Sequence, residues 1–294
     1  MKQKSENFIS RSIMIAGFSS ILFILLIFIF LIKEGTPTLM EVPLAELFSS
    51  RWYPIENYFG ILPLIGGSLL VTFFSILIAL PLGVSTAVYI AEIAPPGIKQ
   101  VLKPIIEVLA GIPSVVLGFI GILVLAPFLR VFLNLPTGLT AFTGALLLAF
   151  ISIPTIVSIA EDALYAVPLS YREAAIALGA SQWETIWGVT LPAARTGVMT
   201  AVMLGIGRSL GETMAVMMVT GNAPVIPNKL MSFFLPVRTM TATIASEMGE
   251  VASGSTHYHV LFFIGIILFI LSLIINVTAS WVSFRRRSRE QLVS

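Results

Sequence analysis

Six stretches of this chain stay apolar for about 20 residues, the length at which an α-helix crosses the hydrocarbon core of a bilayer. They cover residues 13–32, 65–90, 105–126, 141–160, 197–219 and 260–282. Hydrocarbon offers no water to unpaired backbone groups, so runs of this length fold as helices. The expected fold class is all-α: an integral membrane protein with six transmembrane helices. Composition agrees. Of the 294 residues 57% are hydrophobic and 11% charged, against roughly 25% charged in a soluble domain. Pro113 and Pro154 interrupt the third and fourth runs, and Pro81 predicts a kink in the second. Such prolines are tolerated where neighbours re-satisfy the freed carbonyls.

The first run is too long for the core of a cleaved signal peptide, and no small-x-small site follows it. It reads as a retained anchor. Cysteine is absent, which excludes disulfides, iron–sulfur clusters and thiol catalysis. A formal charge of +2 is too small to indicate nucleic acid. The placement of the cations says more. With the N-terminus in the cytoplasm, eleven of the 17 basic residues fall inside and five outside, with Arg208 within a span. The positive-inside rule then puts both termini in the cytoplasm. Residues 1–64 look like an added anchor and external segment, 65–284 like one transmembrane unit, and 285–294 like a basic cytoplasmic tail.

Two external segments stand out. Residues 34–60 carry Trp52, Tyr53, Tyr58 and Phe59, which reads as an aromatic belt at the membrane surface. The segment 221–259 is proline-rich at first, then has helix-forming spacing over 241–252. Its His257 and His259 form an H-x-H pair without thiol or acidic companions in sequence, short of a four-ligand zinc site, and read as a solvated pair. No P-loop, H-E-x-x-H or G-x-S-x-G motif occurs, so no metal, cofactor or catalytic residue is expected. Gly205-x-Gly207 lies in an apolar run with no preceding strand. It reads as small residues for close helix contact, with Gly207 and Gly211 at G-x-x-x-G spacing.

Arg208 falls near the middle of the fifth run, where insertion of an arginine costs about 2.5–3.5 kcal/mol. Glu212 stands four residues on, on the same helical face and within reach. The pair is either packing glue or the lining of a polar path in which Arg208 offers donors to an anion. Intramembrane charges face bundle interiors or water-filled cavities, which favours the path. Glu107 sits near the inner end of the third run and fits at headgroup level.

The most designed stretch is 170–192, S-Y-R-E-A-A-I-A-L-G-A-S-Q-W-E-T-I-W-G-V-T-L-P. Ser170 with Glu173 and Ser181 with Glu184 have capping-box spacing. Gly179 stands where a helix ends on a left-handed residue, and Pro192 closes the second helix. Two short helices result, too short to be stable alone. Trp183, Ile186 and Trp187 give the second a bulky apolar face that needs a receptor. That receptor is either the lipid interface and the chain's own membrane part, or a cleft on a partner protein.

The segment E-A-A-I-A-L-G followed by V-T-L-P resembles the E-A-A signature of permease subunits of ABC importers. Glu173, Ala174, Ala175, Gly179, Leu191 and Pro192 match in spacing, and Val189 replaces the usual isoleucine. The wider likeness runs from Gly66 to Trp281. G-I-G-R-S-L-G-E-T-M-A-V-M-M-V-T-G-N and T-A-T-I-A-S-E-M-G-E are similar to segments of the PstC-like phosphate permeases. The resemblance implies a type I importer core (MetI-like) with its coupling loop at 161–195. It also implies a PstA-like second permease, two copies of a cytoplasmic PstB-like ATPase and an extracytoplasmic PstS-like phosphate-binding protein. Arg208 and Glu212 would then lie on the substrate pathway, and Trp183 and Trp187 would dock on the ATPase. Alternatives are a permease for sulfate or molybdate, an ATPase-independent secondary transporter or channel, and an intramembrane enzyme. The last lacks a nucleophile or metal constellation.

Overall fold

The computed structural model describes the backbone of residues 2–227 and 230–290, with side chains for 10–227 and 232–278. The side chains of Lys2, Lys4, Lys229, Arg285, Arg286, Arg287 and Arg289 lie outside the described residues. Among the described residues six helical segments are long and apolar enough to cross a membrane: Ser10–Glu41, Leu62–Ile93, Ser114–Phe132, Ala141–Tyr165, Gln182–Gly211 and Thr256–Thr278.

The order is α1 (Lys2–Gly35), α2 (Thr38–Glu41), α3 (Leu44–Leu47), a hairpin of β1 (Trp52–Tyr53) and β2 (Tyr58–Phe59), then α4 (Leu62–Val88) and α5 (Pro96–Gly111). There follow α6 (Ser114–Ile120), α7 (Ala126–Phe132), α8 (Ala141–Tyr165), α9 (Leu169–Ala177), α10 (Gln182–Thr185), α11 (Leu191–Gly211), α12 (Met214–Val219), α13 (Met240–Glu247) and α14 (Thr256–Glu290). Helix α8 is the hub, packing along both α4 and α11. Ile156 of α8 is fully buried between two glycines, Gly83 of α4 and Gly205 of α11. A Cβ on Gly205 would stand 2.5 Å from Ile156 Cγ1. Gly207 and Gly211 meet nothing, so the close contact expected of them belongs to Gly205.

Two spans start far from their expected first residues. The third begins at Ser114, because Ile112 and Pro113 take extended backbone and end α5. Helix α5 is instead a separate amphipathic helix, pinned where Lys103 reaches Asp162 at 3.3 Å and Glu161 at 3.6 Å. Burial lowers the Lys103 pKa, but the Asp162 hydrogen bond and the two carboxylate charges outweigh it, so the net shift is upward. The fifth span runs Gln182–Gly211 and breaks at Glu212, which takes extended backbone (φ −69°, ψ 130°). Pro192 therefore does not close a helix; it lies inside a continuous one.

The reason lies in the turn before it. A proline ring collides with the carbonyl four residues back and removes a donor. A π-turn spans Ile186–Thr190 and widens the helix immediately before Pro192. The same device precedes Pro127 (Gly121–Leu125) and Pro95 (Tyr89–Ile93). In each case the proline stands two residues past the widened turn.

The external segments are built, not draped. Trp52 and Phe59 are each 3% exposed and pack with Leu47, Leu64, Met240 and Val260. Only Tyr53 and Tyr58 face outward, so the four aromatics are not a membrane belt. Trp52 donates to Glu247 at 3.2 Å, and Glu247 also holds His257 at 2.8 Å and pairs with Arg238. His259 contacts the Glu34 carbonyl at 3.1 Å. The two histidines are thus fixed at the start of α14 and only partly exposed, not free in a loop, and His257 has an acidic companion that sequence spacing hid. Among the described residues no group of three potential metal ligands occurs.

Candidate functional site

At one end of the bundle α9 and α10 form the helix pair expected over 170–192. Gly179 has φ +88°, the left-handed turn that only glycine adopts without strain. Ser181 caps α10 in a complete capping box with Glu184, the Ser181 N–H donating to Glu184 at 2.8 Å. The first capping box does not form: Pro168 precedes α9, and Ser170 lies inside the helix. Ala175 packs inward, while Glu173, Ala174 and Gly179 are exposed. Trp183 and Trp187 are 61% and 66% exposed, but Ile186 is 1% exposed and joins the core with Val88, Leu164 and Ala194. The π-turn shifts the helical period at Ile186, so the shared three-residue face does not exist. Of those three side chains only the two tryptophans face outward.

The pair is locked to the membrane part by an interaction missed in the sequence. Arg172 Nη2 meets Glu92 Oε1 at 2.7 Å, with side chains 17% and 8% exposed. The same guanidinium donates to the carbonyls of Val167 at 2.9 Å and Leu164 at 2.8 Å. Gln182 donates to the Glu92 carbonyl at 3.1 Å. Glu92 thus ties both short helices to the end of the second span. Eighty residues separate Arg172 from Glu92, and no local spacing carried that signal.

At mid-bundle lies the second constellation. Ser209 of α11 meets Ser152 of α8 at 2.8 Å and Ser75 of α4 at 3.3 Å, all three buried. Beside it Arg208 sits in the last turn of α11, where a cation suits the helix dipole. Its Nη1 donates to Thr155 Oγ1 at 3.3 Å, and its Nε is buried without a partner. Glu212 does not pair with Arg208. Helix α11 has ended, and Glu212 Oε1 instead accepts the N–H groups of Thr213 and Ala215 at 3.1 and 3.2 Å, capping α12. The expected four-residue pairing fails because it presumed an unbroken helix. Thr241 closes the break by donating to the Glu212 carbonyl at 3.1 Å.

Residues 79–288 match the family described as binding-protein-dependent transport system inner membrane component. The chain belongs to that family. It is 40% identical over 247 residues to the probable ABC transporter permease protein YqgH of Bacillus subtilis, covering 83% of this chain and 79% of that one. It is 37% identical over 262 residues to the phosphate transport system permease protein PstC of Mesorhizobium japonicum, again covering 83% and 79%. An inward-facing structure of the MetNI methionine ABC transporter matches with a TM-score of 0.61 at 20% identity, covering 80% of this chain and 99% of that one. This last likeness concerns the fold, which is MetI-like.

In this multi-pass member of the inner membrane component family, Glu173, Ala174 and Gly179 lie exposed on the helix pair while Ala175 faces inward. Leu191 and Pro192 stand at the π-to-α transition of the long fifth helix. The hydroxyl contacts of Ser75, Ser152, Thr155 and Ser209 were not anticipated. Isolated serines in apolar runs give no sign of which will meet.

Proposed function

We propose that this chain is the permease subunit of an ATP-driven importer of inorganic phosphate. The carrying observation is the 37% identity over 262 residues to a phosphate transport system permease PstC, supported by an arginine with free donor capacity at mid-bundle. In this reading a PstA-like permease completes the pathway, and two PstB-like ATPase subunits dock on the E-A-A helices through Trp183 and Trp187. A PstS-like protein delivers phosphate on the opposite side. The E-A-A end then faces the cytoplasm, with both termini, as the excess of basic residues there supports. Residues 65–284 form the permease unit and 1–64 the added anchor and external assembly.

ATP binding draws the paired E-A-A helices together and biases the permeases between outward-open and inward-open states, a shift driven by differential binding. Arg208 compensates the anion's charge in the pathway. Glu212 caps α12 and keeps the break beside Arg208 in shape. Passage needs binding that is favourable but weak enough to release.

The test is ATP-driven uptake by the complex purified with its attached chains and placed in proteoliposomes. Phosphate uptake is expected, and Arg208→Gln should abolish it while assembly and ATP hydrolysis persist. Uptake of sulfate or molybdate instead of phosphate would overturn the substrate assignment. Uptake without ATP would overturn the importer class.

A further inference from the structure

The partner set of Arg208 is lopsided in a way that carries chemistry. A guanidinium presents two forks of parallel N–H groups: an end-on fork from Nη1 and Nη2, and a side-on fork from Nε and Nη2. Either fork matches two oxygens of a carboxylate or a tetrahedral oxyanion. Here Thr155 takes Nη1 alone, at 3.3 Å. Nε is buried and unpartnered, and no carboxylate lies within ion-pair distance of Arg208 among the described residues. An arginine serving only as packing glue is stable when its buried donors are met and its charge is paired. This one has neither.

The local framework keeps it so. Ser152 and Thr155 stand three residues apart on α8 and engage consecutive residues of α11, Ser209 and Arg208. The Ser75–Ser209–Ser152 contact fixes the rotation of α11, and Thr155 then fixes the guanidinium. We infer that Thr155 is a positioning residue for Arg208: by holding Nη1, it reserves the side-on Nε–Nη2 fork for two oxygens of a tetrahedral oxyanion. Nε is shut off from solvent in this conformation, so the anion reaches the whole fork only after neighbouring packing shifts. Engagement is thereby tied to the transport step and not to the resting protein. This rests on the pathway reading of Arg208 proposed above.

The experiment compares wild type, Thr155→Val, Thr155→Ser and Arg208→Gln in the reconstituted complex, reading phosphate imported per ATP hydrolysed. Valine keeps the shape and removes the hydroxyl; serine restores it. Thr155→Val is expected to import about tenfold less phosphate per ATP, the effect of one charge-assisted hydrogen bond, with normal assembly and hydrolysis. Thr155→Ser should recover most of the loss. A ratio unchanged in Thr155→Val overturns the proposal while leaving the pathway reading intact. So does a fall in uptake and hydrolysis together that serine does not rescue. If valine blocks assembly, Thr155→Ala carries the same comparison. Retained phosphate uptake in Arg208→Gln overturns the pathway reading itself, and this inference with it.

Discussion

Arg172 illustrates how much one side chain supports at the E-A-A helices. It holds Glu92 and two backbone carbonyls in a site where both charges are largely withdrawn from water. Removing one member of a buried pair leaves the other uncompensated, a loss of about 3–5 kcal/mol when burial is complete and less at this partial exposure. Arg172→Ala should therefore loosen α9 and α10 and lower the amount of ATPase that copurifies. Arg172→Met combined with Glu92→Gln should recover part of it, since replacing a whole buried pair is often neutral. Equal ATPase recovery from wild type and Arg172→Ala would show that Glu92 and Arg172 are incidental. Gly179 tests a different force. Nothing lies within 4 Å of a Cβ built there, so Gly179→Val acts through the positive φ alone, with no clash to relieve. The expected result is normal membrane insertion with weaker ATPase retention in pull-downs.

Among the elements, α8 and α11 approach as closely as they do because Gly205 leaves room for Ile156. Gly205→Val places methyl groups where Ile156 already sits, an overpacking that typically costs 1–3 kcal/mol. Its thermal unfolding midpoint in detergent should fall, and Ile156→Ala on the same background should restore part of the loss. If the double mutant is instead less stable than either single, the two side chains do not share that space. The widened turns explain another feature of these helices. A run containing Pro127 or Pro192 continues as one helix past a widened turn, whereas extended Ile112 before Pro113 and extended Ala94 before Pro95 end one, the latter in spite of the widened turn at Tyr89–Ile93. Neither a proline nor a widened turn decides the outcome by itself, since Pro81 and Pro154 lie inside unbroken α-helices.

For the whole molecule, the exposed tryptophans are the clearest sign that the chain works in company. Trp183 and Trp187 leave most of their surface uncovered at an end where nothing among the described residues covers it. Buried in a partner's cleft, each would act as an anchor whose truncation costs 2 kcal/mol or more, roughly thirtyfold in affinity. Trp183→Ala with Trp187→Ala should release the ATPase subunits and stop uptake without changing the yield of permease. Normal uptake in that double mutant would mean the pair serves only to rest on lipid. The six spans, the left-handed Gly179 and the second capping box were legible in the sequence, because hydrophobic length and local backbone chemistry are properties of neighbouring residues. The E-A-A signature was legible for the same reason, its spacing being local. Tertiary structure alone decided where the fifth helix stops, that Glu212 caps α12 and does not hold Arg208, and that Glu92 receives Arg172. It also decided that Trp52 and His257 share Glu247. Each of these depends on which distant polar groups meet once helices pack, and a buried donor or acceptor takes its partner from whatever element the fold brings alongside it.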